Sequence, residues 1–427
     1  MERLLLATIF FLLSVSATTA APQDNSTILR FLPAFIHASD KPAAANPVVD
    51  ASMFSEPPKG DGRYVVIAWN DLGMHCMDDS FQDFAILPPY NTLYAQVIRR
   101  GEEPKIVTSG VQVQYRILNN TTSVHKTDFW NYAQKLFSLP GPLPEDTGLA
   151  GKGLTGSMDP RSGYFLAEGI PLTEYFDDTT RSPYQLAEVV VRDSQGVILA
   201  GTQTVLPVST EMRCDNCHAD NGSANASIAT GTVKQNILIL HDQKHKTSLM
   251  INRPVLCANC HGSNALGITG NPELPSLSLA MHRRHASLDD GTMEGTCYQC
   301  HPGRQTKCFR GVMFKEGLSC HDCHGGMSKI ADPDRRPWID EPRCGSCHAD
   351  HQENAGKLYR LSLGHKGIMC SACHGSTHAI YPSTEPLDNR QSIWLQGSPG
   401  TINNCRVCHT NDPDENEGPH QGHGDDD

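Results

Sequence analysis

The chain has 427 residues, of which 38% are hydrophobic and only 7% aromatic. That length favours two folded units with flexible ends, and the composition is thin for filling their interiors with side chains alone. Thirty-five lysines and arginines against forty-seven aspartates and glutamates give a net charge of -12, which excludes a nucleic-acid partner held by a basic surface.

Residues 1–21 read as a signal peptide: Arg3 supplies a basic start, Leu4 to Val15 an apolar stretch, and Ser16 to Ala21 small residues for cleavage. The apolar stretch is shorter than the roughly 20 residues that span a bilayer, and no later segment approaches that length. The first cysteine is Cys76, so none lies near the cleavage region for acylation. The expected location is the periplasm, or secreted or on the cell surface, with no membrane anchor. Residues 22–59, with APQDNST and SDKPAAANP, read as a flexible leader.

Residues 60–209 read as a β-rich domain. Val111, Val113, Tyr115 and Ile117 alternate with Gln112, Gln114 and Arg116, the period of a strand with one wet face. Tyr64 to Trp69, Leu93 to Ile98, Glu188 to Arg192 and Val197 to Val205 are further strands, the last two joined by the turn Asp193-Ser194-Gln195-Gly196. Lys126 to Phe137 is a candidate short helix. The expected fold is a small all-β, sandwich-like N-terminal domain, then a domain made mostly of loops and short helices at residues 210–410. The acidic residues 411–427 read as a disordered tail.

Residues 210–410 carry seven copies of Cys-x-x-Cys-His. They are Cys214/Cys217/His218, Cys257/Cys260/His261, Cys297/Cys300/His301, Cys320/Cys323/His324, Cys344/Cys347/His348, Cys370/Cys373/His374 and Cys405/Cys408/His409. Two cysteines three apart form thioethers to one haem, and the adjacent histidine reaches its iron. Composition alone gives roughly 0.03 copies of this motif, so seven are not accidental. A disulfide framework or zinc knuckles would use the cysteines but would not place a histidine after every second one. The cofactor expected is haem c, seven per chain. At about 28 residues per motif, the porphyrins themselves must fill much of this domain's interior, which makes it a haem-packed cytochrome domain.

The chain has twenty histidines, so thirteen lie outside the motifs. His37, His125, His420 and His423 are set aside by location, the last two in the acidic tail. His241, His245, His282, His285, His351, His365 and His378 are the candidates for second axial ligands, with His75 and His321 weaker. A haem with two histidines is closed to substrates and suited to electron transfer. His282 and His285 lie on one face of a helix with Cβ atoms about 5–6 Å apart, too close to straddle one porphyrin, so they are expected to serve different haems. Met74, His75, Cys76 and Met77 together, and Cys308, are the remaining soft donors. A Cys76–Cys308 disulfide, a ligand role and unpaired thiols all stay open.

Residues 210 to 410 resemble the exported multihaem cytochromes of anaerobic, often metal-respiring bacteria. The resemblance rests on Cys297-Tyr298-Gln299-Cys300-His301-Pro302-Gly303 and Cys320-His321-Asp322-Cys323-His324-Gly325-Gly326-Met327. The stretches Leu363-Gly364-His365-Lys366-Gly367-Ile368-Met369-Cys370 and Cys373-His374-Gly375-Ser376-Thr377-His378-Ala379-Ile380-Tyr381 are similar to segments of the multihaem nitrite and tetrathionate reductase group. In that group histidines at such positions ligate neighbouring haems. Its nitrite reductases commonly carry a lysine in place of one motif histidine, whereas all seven motifs here end in histidine. The resemblance therefore implies electron transfer between redox proteins or other multihaem cytochromes, with extracellular metal acceptors as a further partner class. A reductase of small nitrogen or sulfur compounds and a subunit of a cytochrome filament are the alternatives. Asn70 to Asp78 resembles a recurring feature of such cytochromes that carries no known role.

Overall fold

The computed structural model describes residues 51–413 and residue 420, apart from residues 226, 341, 350–352 and 355. The expected signal peptide, most of the leader, and His37, His351 and His423 lie outside the described residues. Residues Pro42–Asp427 form one compact unit.

Two five-stranded sheets make the N-terminal half. Its strands are β1 (Tyr64–Asn70), β2 (His75–Cys76), β3 (Phe84–Ala85), β4 (Asn91–Arg99), β5 (Lys105–Val107), β6 (Gln112–Ile117), β7 (Thr155–Ser157), β8 (Asp159–Arg161), β9 (Tyr164–Ile170), β10 (Tyr184–Arg192) and β11 (Ile198–Ser209). One sheet runs β1-β4-β9-β8 with β5 also on β4, all antiparallel. The other runs β2-β11-β10-β6-β7, with only the β2–β11 pair parallel. Their inner faces share one core that includes Val66, Ala68, Leu93, Val113, Tyr115, Val189 and Leu206. An α-helix of this half, α1 (Phe129–Leu136), adds Phe129, Ala133 and Leu136 to that core.

Burial follows the sequence pattern strand by strand. β6 alternates between exposed and buried positions, as its period-two sequence requires. β1 is buried on both faces, and Val65 to Trp69 within it is accordingly an unbroken apolar run. Val66 and Ala68 point into the sandwich, whereas Val65, Ile67 and Trp69 pack against Met369, Ala372 and Val407 of the cysteine-rich half. The β10–β11 hairpin turns at Asp193–Gly196, where Asp193 Oδ1 accepts from the Gln195 and Val197 amides and Gly196 takes φ 83°. The folded region also reaches upstream of residue 60. Phe54 is buried with its ring 6.3 Å from Phe176.

The C-terminal half is poor in sheet and in long helices. It has the two-residue β12 (Val255–Leu256), which pairs with β3, and a small hairpin of β13 (His261–Ser263) and β14 (Ile268–Gly270). These strands are two or three residues long, too short to show a periodicity of their own in the sequence. The helices are α2 (Asp215–His218), α3 (Val233–His245), α4 (Leu277–His285), α5 (Val312–Lys315), α6 (Cys320–His324), α7 (Met327–Ile330), α8 (Cys370–His374) and α9 (Arg390–Gln396). Gln391 on α9 is bonded to β1 through both amide atoms, accepting from the Ala68 amide and donating to the Ala68 carbonyl, each at 2.8 Å. Among the described residues, no helix is long and apolar enough to cross a membrane.

Candidate haem-ligating site

Each motif closes one helical turn. The histidine amide bonds back to the carbonyl of the first cysteine, at 2.9 Å in His218 and His301 and 2.8 Å in His348 and His409. One turn brings positions i and i+3 to the same face, so both thiols of a motif address the same side. Six of the seven motifs open on a single cavity of about 2750 Å³, whose apolar lining includes Leu238, Leu256, Phe309, Val312 and Ile380. A drug-sized ligand occupies roughly 300–1,000 Å³, so this space suits several large flat ligands rather than one. The seventh motif lies apart, on the edge of the first sheet. There Gly101 bridges to His409, Thr410 donates to the Gly101 carbonyl at 2.9 Å, and Arg100 donates to the Arg406 carbonyl at 2.7 Å.

Six motif histidines each face a histidine from another segment. The ring centroids are 6.4 Å apart for His218 and His285, 6.3 Å for His261 and His241, and 6.1 Å for His301 and His282. They are 6.4 Å apart for His324 and His378, 6.2 Å for His409 and His365, and 5.8 Å for His374 and His420. Two imidazoles bound to one metal through bonds of about 2 Å, with a ring radius of roughly 1.2 Å each, have centroids about 6.4 Å apart. The residues present therefore fit axial ligation of haem iron.

Hydrogen bonds fix which nitrogen faces inward. His261 Nδ1 donates to the Pro275 carbonyl (2.9 Å), His282 Nδ1 to Ser278 (2.8 Å), His285 Nδ1 to Met281 (2.7 Å) and His409 Nδ1 to Glu102 (2.9 Å). A carbonyl only accepts, so each Nδ1 carries the proton and each Nε2 presents its lone pair for a metal. Burial favours the neutral, ligating form at five of the histidines in these pairs. It pushes His218, His241 and His282 below the usual imidazole value, and with neighbouring histidines it takes His301 and His324 down to about 4.

The facing partners differ from the sequence expectation at two places, and a third expected ligand lies outside the described residues. His420, set aside as part of an acidic tail, faces His374. Charge and composition describe the tail's solvation but say nothing of one imidazole's reach, so no signal in the sequence singled it out. His245 lies 4.8 Å from His241, one helical turn along α3, and His241 is the one of the two that faces His261. His351, three residues after His348, falls outside the described residues. His282 and His285 face His301 and His218 respectively, two different motifs.

The weaker candidates have other engagements. His75 Nε2 is 2.8 Å from Asp71 Oδ1 in a buried pair, and His321 Nε2 is 3.7 Å from Asp289. Cys76 and Cys308 are thiols, not a disulfide. Burial pushes the Cys76 thiol up, with Cys308 adding to it. At Cys308 burial also pushes upward, but the adjacent His378 and Arg310 outweigh it and hold the thiol below its usual value.

The motifs neighbour one another in a definite sequence. α3 carries both His241 and Asn236, whose Nδ2 donates to the His218 carbonyl at 2.9 Å, and so joins the second motif to the first. Asn216 in the first motif donates to the Gln299 carbonyl in the third at 3.2 Å. Cys297 of the third and Cys320 of the fourth pack in one cluster with Tyr298. Burial pushes up the Cys323 thiol, and nearby Cys347 of the fifth motif adds to it. Burial and Glu353 push Cys344 up to about 12, with Cys370 of the sixth adding. The Ile402 amide, just before the seventh motif, donates to the Cys373 carbonyl at 2.9 Å.

Among the described residues, no group of three or more His, Cys, Asp or Glu side chains gathers as a bare metal ion would need. No family model, no curated protein and no solved structure matches the chain.

Proposed function

We propose that the chain is an exported multihaem c-type cytochrome that binds seven haems and moves electrons between redox partners outside the cytoplasm. The observation that carries this reading is the set of six facing imidazole pairs, each with one motif histidine, at the spacing a shared iron needs. The fourteen motif cysteines would hold the porphyrins by thioethers, and each bound haem supplies one-electron storage and transfer. At the six facing pairs, two histidines per iron would leave no coordination site for a substrate, which favours carriage over catalysis there.

The chain's own residues orient the ligands and exclude water. Carbonyls of Pro275, Ser278, Met281 and Glu102 set ring tautomers, and the apolar cavity lining lowers the local dielectric around the irons. The contacts between motifs support a single file in the order second, first, third, fourth, fifth, sixth, seventh. Electrons would then enter and leave at the haems of the second and seventh motifs, through partners such as other redox proteins or multihaem cytochromes. The start of the sequence supports export to the periplasm or cell surface.

The test is a haem count combined with a spin survey. Intact mass after acid and organic extraction is expected to retain seven haems, and low-temperature EPR of the ferric protein to show essentially only low-spin iron. Retention of fewer than six haems would overturn the count. A stoichiometric high-spin signal, with turnover of nitrite, hydroxylamine or tetrathionate, would replace carriage with reductase activity.

A further inference from the structure

The geometry points to a role for the turn at Asn70–Cys76: it is a clamp from the β domain that sets the position of His378, and through it the ligation of the haem on the fourth motif. This rests on the reading above, in which His378 and His324 share one iron.

The need for a clamp follows from where His378 sits. His282 and His285 are held by α4, whose own hydrogen bonds fix their backbones. His378 lies instead on a single 3-10 turn, Thr377–Ala379, just after Gly375 at φ 85°. A ligand must be held to within about 0.5 Å of its productive position, and one isolated turn does not supply that rigidity.

The β domain supplies the missing restraint. Asn70 is buried, and its Oδ1 accepts from the Leu72 amide at 3.1 Å and the Gly73 amide at 2.7 Å, which folds the chain into an Asx turn at the end of β1. Its Nδ2 donates to Asn91 Oδ1 at 2.8 Å and to the Thr92 carbonyl at 2.9 Å, which roots the turn in β4. Three carbonyls of this turn then point at the segment around His378. Leu72 accepts from the His378 amide at 3.3 Å, Asn70 from Ser376 Oγ at 2.7 Å, and Gly73 from Arg310 Nη1 at 2.5 Å. On its other side, the His378 carbonyl accepts from the Arg310 amide at 3.0 Å and the Gly311 amide at 3.2 Å. Both main-chain polar groups of His378 are thereby held, one by the β domain and the other by the segment between the third and fourth motifs.

Glycine at position 73 is required twice over. Its φ is +81°, and a Cβ there would stand 3.2 Å from the His378 amide nitrogen and from Ser376 Cβ. Asp71 and His75, paired at 2.8 Å and buried, brace the turn from behind. This gives the Asn70–Cys76 sequence a positioning role.

Three variants test the clamp: Gly73→Ala, Gly62→Ala and His378→Ala. Gly62 has the same φ of +81° but nothing within 4 Å of an added Cβ, so it isolates backbone strain from the close approach. Low-spin haems are counted by EPR, covalent haems by intact mass, and midpoint potentials by redox titration. His378→Ala is expected to convert one low-spin haem of the seven to high spin. Gly73→Ala should affect that same haem and leave the other six unchanged, and Gly62→Ala should affect none.

Seven unaltered haems in a folded Gly73→Ala protein would overturn the clamp, as would equal losses in Gly73→Ala and Gly62→Ala. If Gly73→Ala fails to accumulate, Ser376→Ala decides. It removes one tether without touching the backbone, and is expected to shift the potential and EPR signature of one haem, with Ser376→Thr restoring them. No shift there refutes the clamp. If His378→Ala itself costs no low-spin haem, what fails is the reading of His378 as a ligand.

Discussion

Replacing Asp388 with asparagine removes the only carboxylate bonded to the Arg310 guanidinium among the described residues. The pair is bidentate, with Nε to Oδ2 at 2.7 Å and Nη2 to Oδ1 at 2.9 Å, and the side chains are 1% and 5% exposed. Burial works against the guanidinium's charge, and Asp388 more than offsets it. Arg310 Nη1 also donates to the Gly73 carbonyl and to the Cys308 carbonyl at 3.1 Å, but neutral carbonyls do not replace the lost charge. Breaking a buried pair by removing one partner costs about 3–5 kcal/mol. Taking about 1.4 kcal/mol per factor of ten, that is more than a hundredfold in the local opening equilibrium. The assay is hydrogen exchange at the Arg310, Gly311 and His378 amides, which the pair holds in place. The double variant Arg310→Met with Asp388→Leu leaves no uncompensated charge and is expected to cost less than Asp388→Asn, though the Gly73 and Cys308 carbonyls lose their donor. Exchange in Asp388→Asn within threefold of wild type would refute the reasoning.

His282→Met and His285→Met are each expected to alter one haem, on the third and first motifs respectively, and the double change two; EPR counting checks this, and a double change that alters only one would contradict the two facing pairs. His420→Ala is expected to turn one haem high-spin, that of the sixth motif, because His420 faces His374. At Asp177, burial pushes the carboxyl up, but hydrogen bonds from Lys126 and Thr121 outweigh it and hold its value below 3.8. A depressed folded value means that its stabilising contribution is present above 3.8 and lost as pH falls through the lower folded value. The denaturant midpoints of wild type and Asp177→Asn should therefore differ at neutral pH and converge in acid.

The strands legible in the sequence were those whose residues face one core and one solvent layer, or two cores. β6 announces itself by alternation, β1 by an unbroken apolar run, and the β10–β11 hairpin by the turn at Asp193–Gly196. β9 was missed because its Tyr-Phe-Leu-Ala-Glu-Gly-Ile sequence mixes good strand formers with Glu168 and Gly169, and its place between β4 and β8 comes from pairing alone. In the cysteine-rich half the motifs were legible to the residue, because their chemistry is local. The facing partners were less so. Helical spacing predicted that His282 and His285 must part company, but nothing in a linear sequence distinguishes His241 from His245 one turn away. The choice between them is made by the orientation of α3, whose start is tied to the β domain through Lys234 and Asp78 at 2.9 Å. His420 was invisible for the same reason: its partner is chosen in space, after the rest of the chain has folded.

The facing pairs also have a meaning for the polymer. They join residues between about 19 and 67 positions apart, and once both rings of a pair share a metal, the intervening segment is a closed loop. A cross-link over loops of this size removes about 3–4.5 kcal/mol of chain entropy from the unfolded state in the simplest treatment. Several of these loops are nested or interlocked: 282–301 overlaps 218–285, and 365–409 overlaps both 324–378 and 374–420. The helix-poor half thus gains from stapling what it lacks in apolar side chains. If the pairs do hold haem iron, folding of this half would be tied to loading, and a chain denied its porphyrins is then expected to keep the β-sandwich and lose cooperative structure beyond residue 210.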